Sequence, residues 1–509
     1  MSLVRPHSWC SPPRTAALLA AMVLIASPAS AFDTGPHWDI TADVLRSEGF
    51  SPEAIKTVQC ANFFVDFYEF IGNGGIAKVL DGSCRKKVEK VLKIGDAQHF
   101  DDLGSTIEVS EHWDAMLEAT KSLADTTAKS KDILGLLALL GASLHNVQDF
   151  YAHSNWVEPA PMGPGIGKGA LAKYGDHPTW LSVDRADRMN LEIYTKLNRP
   201  SQQRTHGDWN SDSTYLNKDW QGRPYHRDAY ICAWFATRQW VRLFQGFVND
   251  PAVWLDMQKA NKTLYNPDRD WDYSRKISFY GGHWNGNGGP TDFWSAFKSE
   301  TAATAPDLLF PAVLDFMKGN CITAAPSELR RTVEDLLLTW GDAPFHKEMK
   351  VALPSAAPES LQFVRLQINR IDNKGGDDGF LGGQMDWYGK AAIAGQAYMT
   401  GLIDEHDNFD FERPGKPYAP WTMTKALRTS VTDVPIYFQL WELDYSDDDL
   451  VDVNPKSGMK TLVFGYSTGT DKLSGDLIGA RPWFTEGKGD CDCARLKMNV
   501  DRRIASCLR

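Results

Sequence analysis

The stretch Leu144-His145-Asn146-Val147-Gln148-Asp149-Phe150-Tyr151-Ala152-His153 sets His145, Asp149 and His153 at steps of four. At 3.6 residues per turn each step advances about 40° past a full circle, so the three side chains share one helix face. Imidazole nitrogen and carboxylate oxygen are donors that suit zinc, at roughly 2.0–2.2 Å. The run before them, Leu134 to Leu144, is almost wholly apolar, which puts this helix in a core. Polar groups buried there cost roughly 2–7 kcal/mol unless paired or bound to a cation. Ligation of a divalent ion is the chemistry the spacing favours. A polar helix face with ordinary hydrogen bonds is the alternative.

The elements that must position these residues follow from periodicity. Apolar residues at three- and four-residue spacing predict helices over 39–47, 52–70, 112–128, 133–151, 226–247 and 327–339. Pro/Gly loops fall at 159–169 and 281–289. The pattern changes near Val351. Alternation over 361–368 signals a half-buried strand, and 434–441 and 461–464 look like further strands. The expected architecture is an all-α catalytic domain over 32–345, in which 250–345 reads as an insertion or extension. An all-β sandwich follows over 351–509, with residues 354–358 as linker.

The N-terminus reads as a secretory signal over 1–31. Arg5 and Arg14 supply charge, 16–26 is an apolar run too short to span a bilayer, and Ala29-Ser30-Ala31 is a small-x-small cleavage site. No later segment is apolar enough to span, so the expected mature protein begins at Phe32 and is secreted or periplasmic. Cleavage removes two arginines and no acid, turning the net charge from −11 to −13. That disfavours a surface built to hold nucleic-acid backbone. Of eight cysteines, Cys10 leaves with the signal. Export permits disulfides, and Cys60–Cys84 is the first expected pair.

Further candidate donors lie on both sides of the central motif. His37 follows the expected new N-terminus by five residues. The freed α-amino group of Phe32, with a reference pKa near 7.7–8.0, would chelate with its own carbonyl. Asp66 sits between aromatics in Asn62-Phe63-Phe64-Val65-Asp66-Phe67, His99 lies in Gln98-His99-Phe100, and His226 opens a helical run. His112 and His177 read as surface histidines in polar loops. Trp156, Trp180, Trp209, Trp220, Trp284 and Trp294 could form an interfacial or head-group surface, although most aromatics belong to cores.

With these residues in place, 32–250 resembles the zinc-dependent phospholipase C superfamily, which also holds fungal zinc single-strand nucleases. Leu144 to Trp156 resembles most the branch named for the fungal heterokaryon-incompatibility protein. The resemblance implies an all-helical domain with two or three zinc ions. One zinc would take Phe32, His37 and bridging Asp149. A second would take Asp66, His99, His145 and Asp149. A third would take His153 and His226 with an acid, Asp219 or the Asp208 beside His206. The chain departs from the family pattern at Tyr230, where an acid commonly stands, and at Phe32, where the family commonly has Trp.

The acid clusters of the β region carry a second resemblance. One spans 370–379 and the other 442–452. The pattern Leu440-Trp441-Glu442-Leu443-Asp444, an acidic loop, then Asp452-Val453-Asn454-Pro455 resembles calcium-dependent lipid-binding β-sandwiches. Calcium takes six to eight oxygen ligands, and Asp372, Asp378, Asp444 and Asp452 are the expected donors.

Adjacent divalent ions lower the pKa of a shared water and polarise phosphoryl oxygens. Asp149 is the expected bridge, and Asp66 the residue that orients or deprotonates the attacking water. The expected function is hydrolysis of phospholipid, phosphatidylcholine first, to diacylglycerol and a phosphorylated head group at a membrane surface. No stable nucleic-acid partner is expected. A zinc nuclease or phosphatase on the same fold, and a non-catalytic secreted lipid-binding protein, are the alternatives.

Overall fold

The computed structural model describes residues 34–73, 99–100, 103, 105–160, 163–188, 191, 218, 223–261, 359–374, 385–400, 403, 407–412, 420–442, 449–477, 479, 481–488 and 493–508. The side chains of Thr34, Cys60, Phe63, Phe64, 66–73 and Met399 are not among the described parts. The described helices are α1 (Thr34–Ser47), α2 (Pro52–Asn73), α3 (Thr106–Ser130), α4 (Ile133–His153), α5 (His226–Val248) and α6 (Pro251–Gln258). Each of the first five contains the span its periodicity predicts. The helix expected over 327–339 lies outside the described residues, as do the signal segment, the linker and the Cys60–Cys84 pair.

Helix α4 is the axis of the bundle. Asp132 caps it, its side chain accepting the Gly135 amide at 2.9 Å. Every side chain from Leu136 to His153 is buried. The expectation that no later segment is apolar enough to span is corrected at α4: by length and composition it would cross a membrane, and 83% of its apolar 18-residue window is buried inside the fold. It packs against α2, α3 and α5. Gly141 sets how near α2 comes: a Cβ there would stand 2.3 Å from the Val58 carbonyl oxygen and 2.7 Å from the Ala61 Cβ. Without a side chain at Gly141 the two backbones touch. One turn later His145 therefore meets Asn62 of α2.

Aromatic rings fill the space between α3, α4 and the segment after α4. Phe150 lies 5.4 Å from Trp180 and 5.7 Å from Trp156, and Trp113 stacks on Trp180 at 6.1 Å. Trp156 and Trp180 are fully buried, so these two belong to the core and not to an interfacial surface. The other four tryptophans named above lie outside the described residues.

The C-terminal region is a sandwich of two antiparallel sheets. One contains β1 (Glu359–Asn373), β4 (Asn408–Asp410), β5 (Trp421–Arg428), β10 (Trp483–Glu486) and β11 (Ala494–Cys507). β1 pairs with β11 on one edge and with β5 and β4 on the other. The second contains β2 (Trp387–Ile393), β3 (Gln396–Met399), β6 (Asp433–Glu442), β7 (Asp449–Val451), β8 (Leu462–Ser467) and β9 (Lys472–Gly475), in the order β3-β2-β6-β8-β9 with β7 beside β6. Alternate residues Val434, Ile436, Phe438 and Leu440 of β6 point to the shared core with Val364, Leu366 and Ile368 of β1.

β1 is buried on both faces because its other face packs on the helices. Leu361 and Phe363, with Ala505 and Cys507 of β11, join the core of the bundle. Phe363 meets Trp234 and Phe235 of α5 edge-on, each at 5.8 Å. Asp43 of α1 is buried against this sheet. It accepts the Trp234 indole N–H and the Ala426 amide, both at 3.0 Å, and pairs with the Lys425 ammonium of β5. Helix α1 is thus held by the sheet at Asp43.

Candidate metal centre

Asp149 is fully buried, and three imidazoles close on it. Its Oδ1 lies 2.9 Å from His37 Nε2. Its Oδ2 lies 2.9 Å from His145 Nε2 and 2.9 Å from His99 Nδ1. His145 Nε2 and His99 Nδ1 are 3.1 Å apart. The rings of His37 and His145 stack at 4.4 Å, and His99 stands edge-on to His145 at 4.9 Å. Three segments far apart in the chain supply these groups: α1, the turn at 99–100, and α4.

Each ring has a local reason for its place. His37 sits in the first turns of α1, whose far end Asp43 ties to the sheet. His99 stands on a tight turn in which Phe100 has φ 56°, a conformation bulky residues rarely adopt. Phe100 is held there by His112 at 5.0 Å, Trp113 at 5.1 Å and Phe150 at 5.3 Å. His145 and Asp149 share the α4 face, one turn apart.

The donors fit a divalent cation. Ligand atoms of His37, His145 and Asp149 all lie within 4.8 Å of one another. Two donors on one tetrahedral zinc with bonds of about 2.0–2.1 Å stand about 3.3 Å apart, close to the contacts here. Burial pushes the His145 imidazole down to about 3 despite the pull of Asp149. Burial works to raise the Asp149 carboxyl, but His145 and His37 hold it well below the usual range. Neutral imidazole and ionised carboxylate are the states metal ligation needs. The two Asp149 oxygens face different histidines.

His153 and His226 are buried and held by backbone carbonyls. Among the described residues, His37, His145 and Asp149 form the one group of such ligand atoms that all lie within 4.8 Å of one another. His153 Nδ1 donates to the His99 carbonyl at 2.8 Å, tying the end of α4 to the 99–100 turn. His226 Nδ1 donates to the Lys218 carbonyl at 2.6 Å. Lys218 is itself fully buried, with Nζ 2.9 Å from Glu158 Oε1 and 2.6 Å from the Ser154 carbonyl. Burial raises the Glu158 carboxyl, and Lys218 opposes that rise. A buried ammonium–carboxylate pair thus stands beside the two histidines expected around a third zinc. Phe32 and Asp219 lie outside the described residues, and Asp66 lies on α2 with its side chain outside them.

Two expectations are corrected. His112 and His177 are buried, not surface residues. His112 packs on Phe100. His177 Nε2 is 3.0 Å from Asp228 Oδ1, which also meets Arg503 of β11 at 2.6 Å. Burial works to raise the Asp228 carboxyl, but His177 and Arg503 hold it down.

Uncharged residues around the cluster were not legible as site residues. Gln148 Oε1 is 2.5 Å from His37 Nδ1, and Asn62 Oδ1 is 3.2 Å from His145 Nδ1. Polar side chains in an apolar helix need partners, and that signal was present at both positions.

In the β region Asp372 and Asp452 are nearly buried at one end of the sandwich. Asp372 Oδ1 accepts from Arg370 Nε at 2.7 Å, and Asp452 Oδ1 accepts the Asn454 amide at 2.9 Å. Asp378 and Asp444 lie outside the described residues.

The family model described as the VWA7 N-terminal domain matches residues 53–165, a span that holds His99, His145, Asp149 and His153 but not His37 or His226. No curated protein matches the chain. Solved structures similar to it include a C2 domain, at 12% identity over 28% of this chain and 98% of that one, TM-score 0.17. Human GIVD cytosolic phospholipase A2 matches at 10% identity over 29% of this chain and 17% of that one, TM-score 0.18. Clostridium perfringens alpha-toxin matches at 13% identity over 92% of this chain and 100% of that one, TM-score 0.12. Likenesses at these TM-scores carry no weight for fold or activity.

Proposed function

We propose that the chain is a zinc-dependent phosphodiester hydrolase of the phospholipase C type, exported after cleavage before Phe32 and acting on phospholipid, phosphatidylcholine first. The observation that carries this reading is the convergence of His37, His99 and His145 on the two oxygens of one buried carboxylate, Asp149. Bound zinc would supply Lewis acidity toward a phosphoryl oxygen and a water of lowered pKa. The protein's part is to hold neutral imidazoles and an ionised Asp149 at fixed spacing in a site shut off from bulk water. His37 and Asp149 Oδ1 would serve one ion, with the Phe32 amine. His99, His145 and Asp149 Oδ2 would serve a second, with Asp66, which also orients the attacking water. In this reading His153 and His226, with Asp219, are the third set, and calcium at Asp372, Asp378, Asp444 and Asp452 brings the β-sandwich to the bilayer. The test is head-group release from phosphatidylcholine vesicles beside hydrolysis of single-stranded DNA. Head-group release lost on chelation and restored by zinc is the expected result. DNA hydrolysis without head-group release would move the reading to a nuclease, and neither activity in zinc-loaded protein would overturn it.

A further inference from the structure

Behind the histidines runs a closed set of uncharged polar groups. Thr41, Asn62, Gln148 and Thr237 are all essentially buried. Thr41 Oγ1 lies 3.2 Å from both Asn62 Nδ2 and Gln148 Nε2. Gln148 Nε2 also meets Thr237 Oγ1 at 3.0 Å, and Asn62 Nδ2 meets Gln148 Oε1 at 3.0 Å. The two amide oxygens then face ring nitrogens: Gln148 Oε1 faces His37 Nδ1, and Asn62 Oδ1 faces His145 Nδ1.

The direction of every bond in this set follows from Thr41. A carboxamide can be turned over, so its orientation has to be read from its partners. A hydroxyl has one proton to give and two lone pairs to accept with. If both amides turned over, Thr41 would face two carboxamide oxygens with a single proton. If Gln148 alone turned, its NH2 would face the NH2 of Asn62. If Asn62 alone turned, its oxygen would face that of Gln148. Within this set one arrangement leaves no like atoms opposed: both amides donate to Thr41, and both oxygens accept from the rings. His37 and His145 must then carry their protons on Nδ1. Each turns a bare Nε2 toward an Asp149 oxygen at 2.9 Å, two acceptors that a bound cation would join.

We propose that Thr41 is a positioning residue that, through Asn62 and Gln148, fixes His37 and His145 as Nδ1–H tautomers with Nε2 facing Asp149. This inference rests on the metal reading above. Partners of this kind orient ligands and raise their affinity. Here they are neutral amides in place of carboxylates, so they set ring direction without adding negative charge to a buried site.

The test uses the mature full-length protein and zinc alone, with affinity measured by competition against a chromogenic chelator. Thr41→Val should weaken zinc binding about 10-fold, the low end of the range for residues that hydrogen-bond metal ligands, because Thr41 reaches the rings through Asn62 and Gln148. Thr41→Ser keeps the hydroxyl and should stay within about threefold of wild type, a rescue that a purely structural role would not give. Equal affinity in Thr41→Val and wild type would overturn the positioning role while leaving the metal reading standing. A wild type without zinc would overturn both. Nitrogen-15 spectra of labelled histidines in the zinc-loaded wild type need no variant: Nδ1–H signals for His37 and His145 are expected, and Nε2–H signals would overturn the proposal even though zinc binds.

Discussion

Replacing Asp43 by alanine tests how firmly helix α1, and with it His37, is held by the β-sandwich. Asp43 is 1% exposed and serves three donors: Lys425 Nζ, Trp234 Nε1 and the Ala426 amide. Removing one partner of a buried ion pair costs about 3–5 kcal/mol, because the other charge stays buried. Each stranded N–H adds about 1–3 kcal/mol. These contributions overlap, and Lys425 keeps Gln396 Oε1 at 3.0 Å, so the loss should be about 4–6 kcal/mol. That is a large part of the 5–15 kcal/mol typical of a domain. Asp43→Ala with Lys425→Met removes the stranded ammonium and should recover about 2–3 kcal/mol relative to Asp43→Ala alone. The assay is urea unfolding followed by tryptophan fluorescence and circular dichroism, whose coincidence shows whether the two parts unfold together. A loss under about 1 kcal/mol for Asp43→Ala, or strict additivity in the double variant, would refute the interface as described.

Three further outcomes are expected. Acid should destabilise the zinc-free protein: His145 is depressed to about 3 from an ordinary 6.5, so the unfolded chain binds the extra proton across that window. Stability is therefore full above about 6.5 and falls as pH drops toward 3, and a flat urea midpoint from pH 7 to 4 would contradict this; the depressed Asp149 adds a loss of the same sign below its usual range. Lys218→Met leaves the Glu158 carboxylate alone in the core and should cost about 3–5 kcal/mol at pH 7. It should cost less at pH 5, where Glu158, already raised by burial, takes a proton; equal losses at both pH values would argue against the pair. Residues added before Phe32 should lower the zinc content of the exported protein, and unchanged content would remove the terminal amine from the ligand set.

The parts of the site that obey a local period were legible in the sequence. His145 and Asp149 follow from one helical repeat inside an apolar run. The convergence of His37 and His99 on Asp149 was not, because no local rule states which distant turn meets which helix; the family resemblance implies it, and in the fold each ring has a nitrogen 2.9 Å from an Asp149 oxygen. Thr41, Asn62 and Gln148 do not stand out in the sequence, because neutral polar residues carry no charge signature. The strand over 361–368 stood out by alternation, yet β1 is buried on both faces, a consequence of the bundle docking that alternation cannot report. β11 was missed although its inward residues Leu496, Met498 and Val500 alternate with Lys497, Asn499 and Asp501. The burial of His177 and His112 is not legible locally, because it is created by chain segments that pack on them from elsewhere.

The most direct measurement is zinc content per chain in purified, signal-cleaved protein, beside Asp149→Ala. The account predicts two or three zinc ions in the wild type and loss of metal and phosphodiesterase activity together in Asp149→Ala. A folded wild type that holds fewer than two zinc ions, or an Asp149→Ala chain that keeps them, would contradict it.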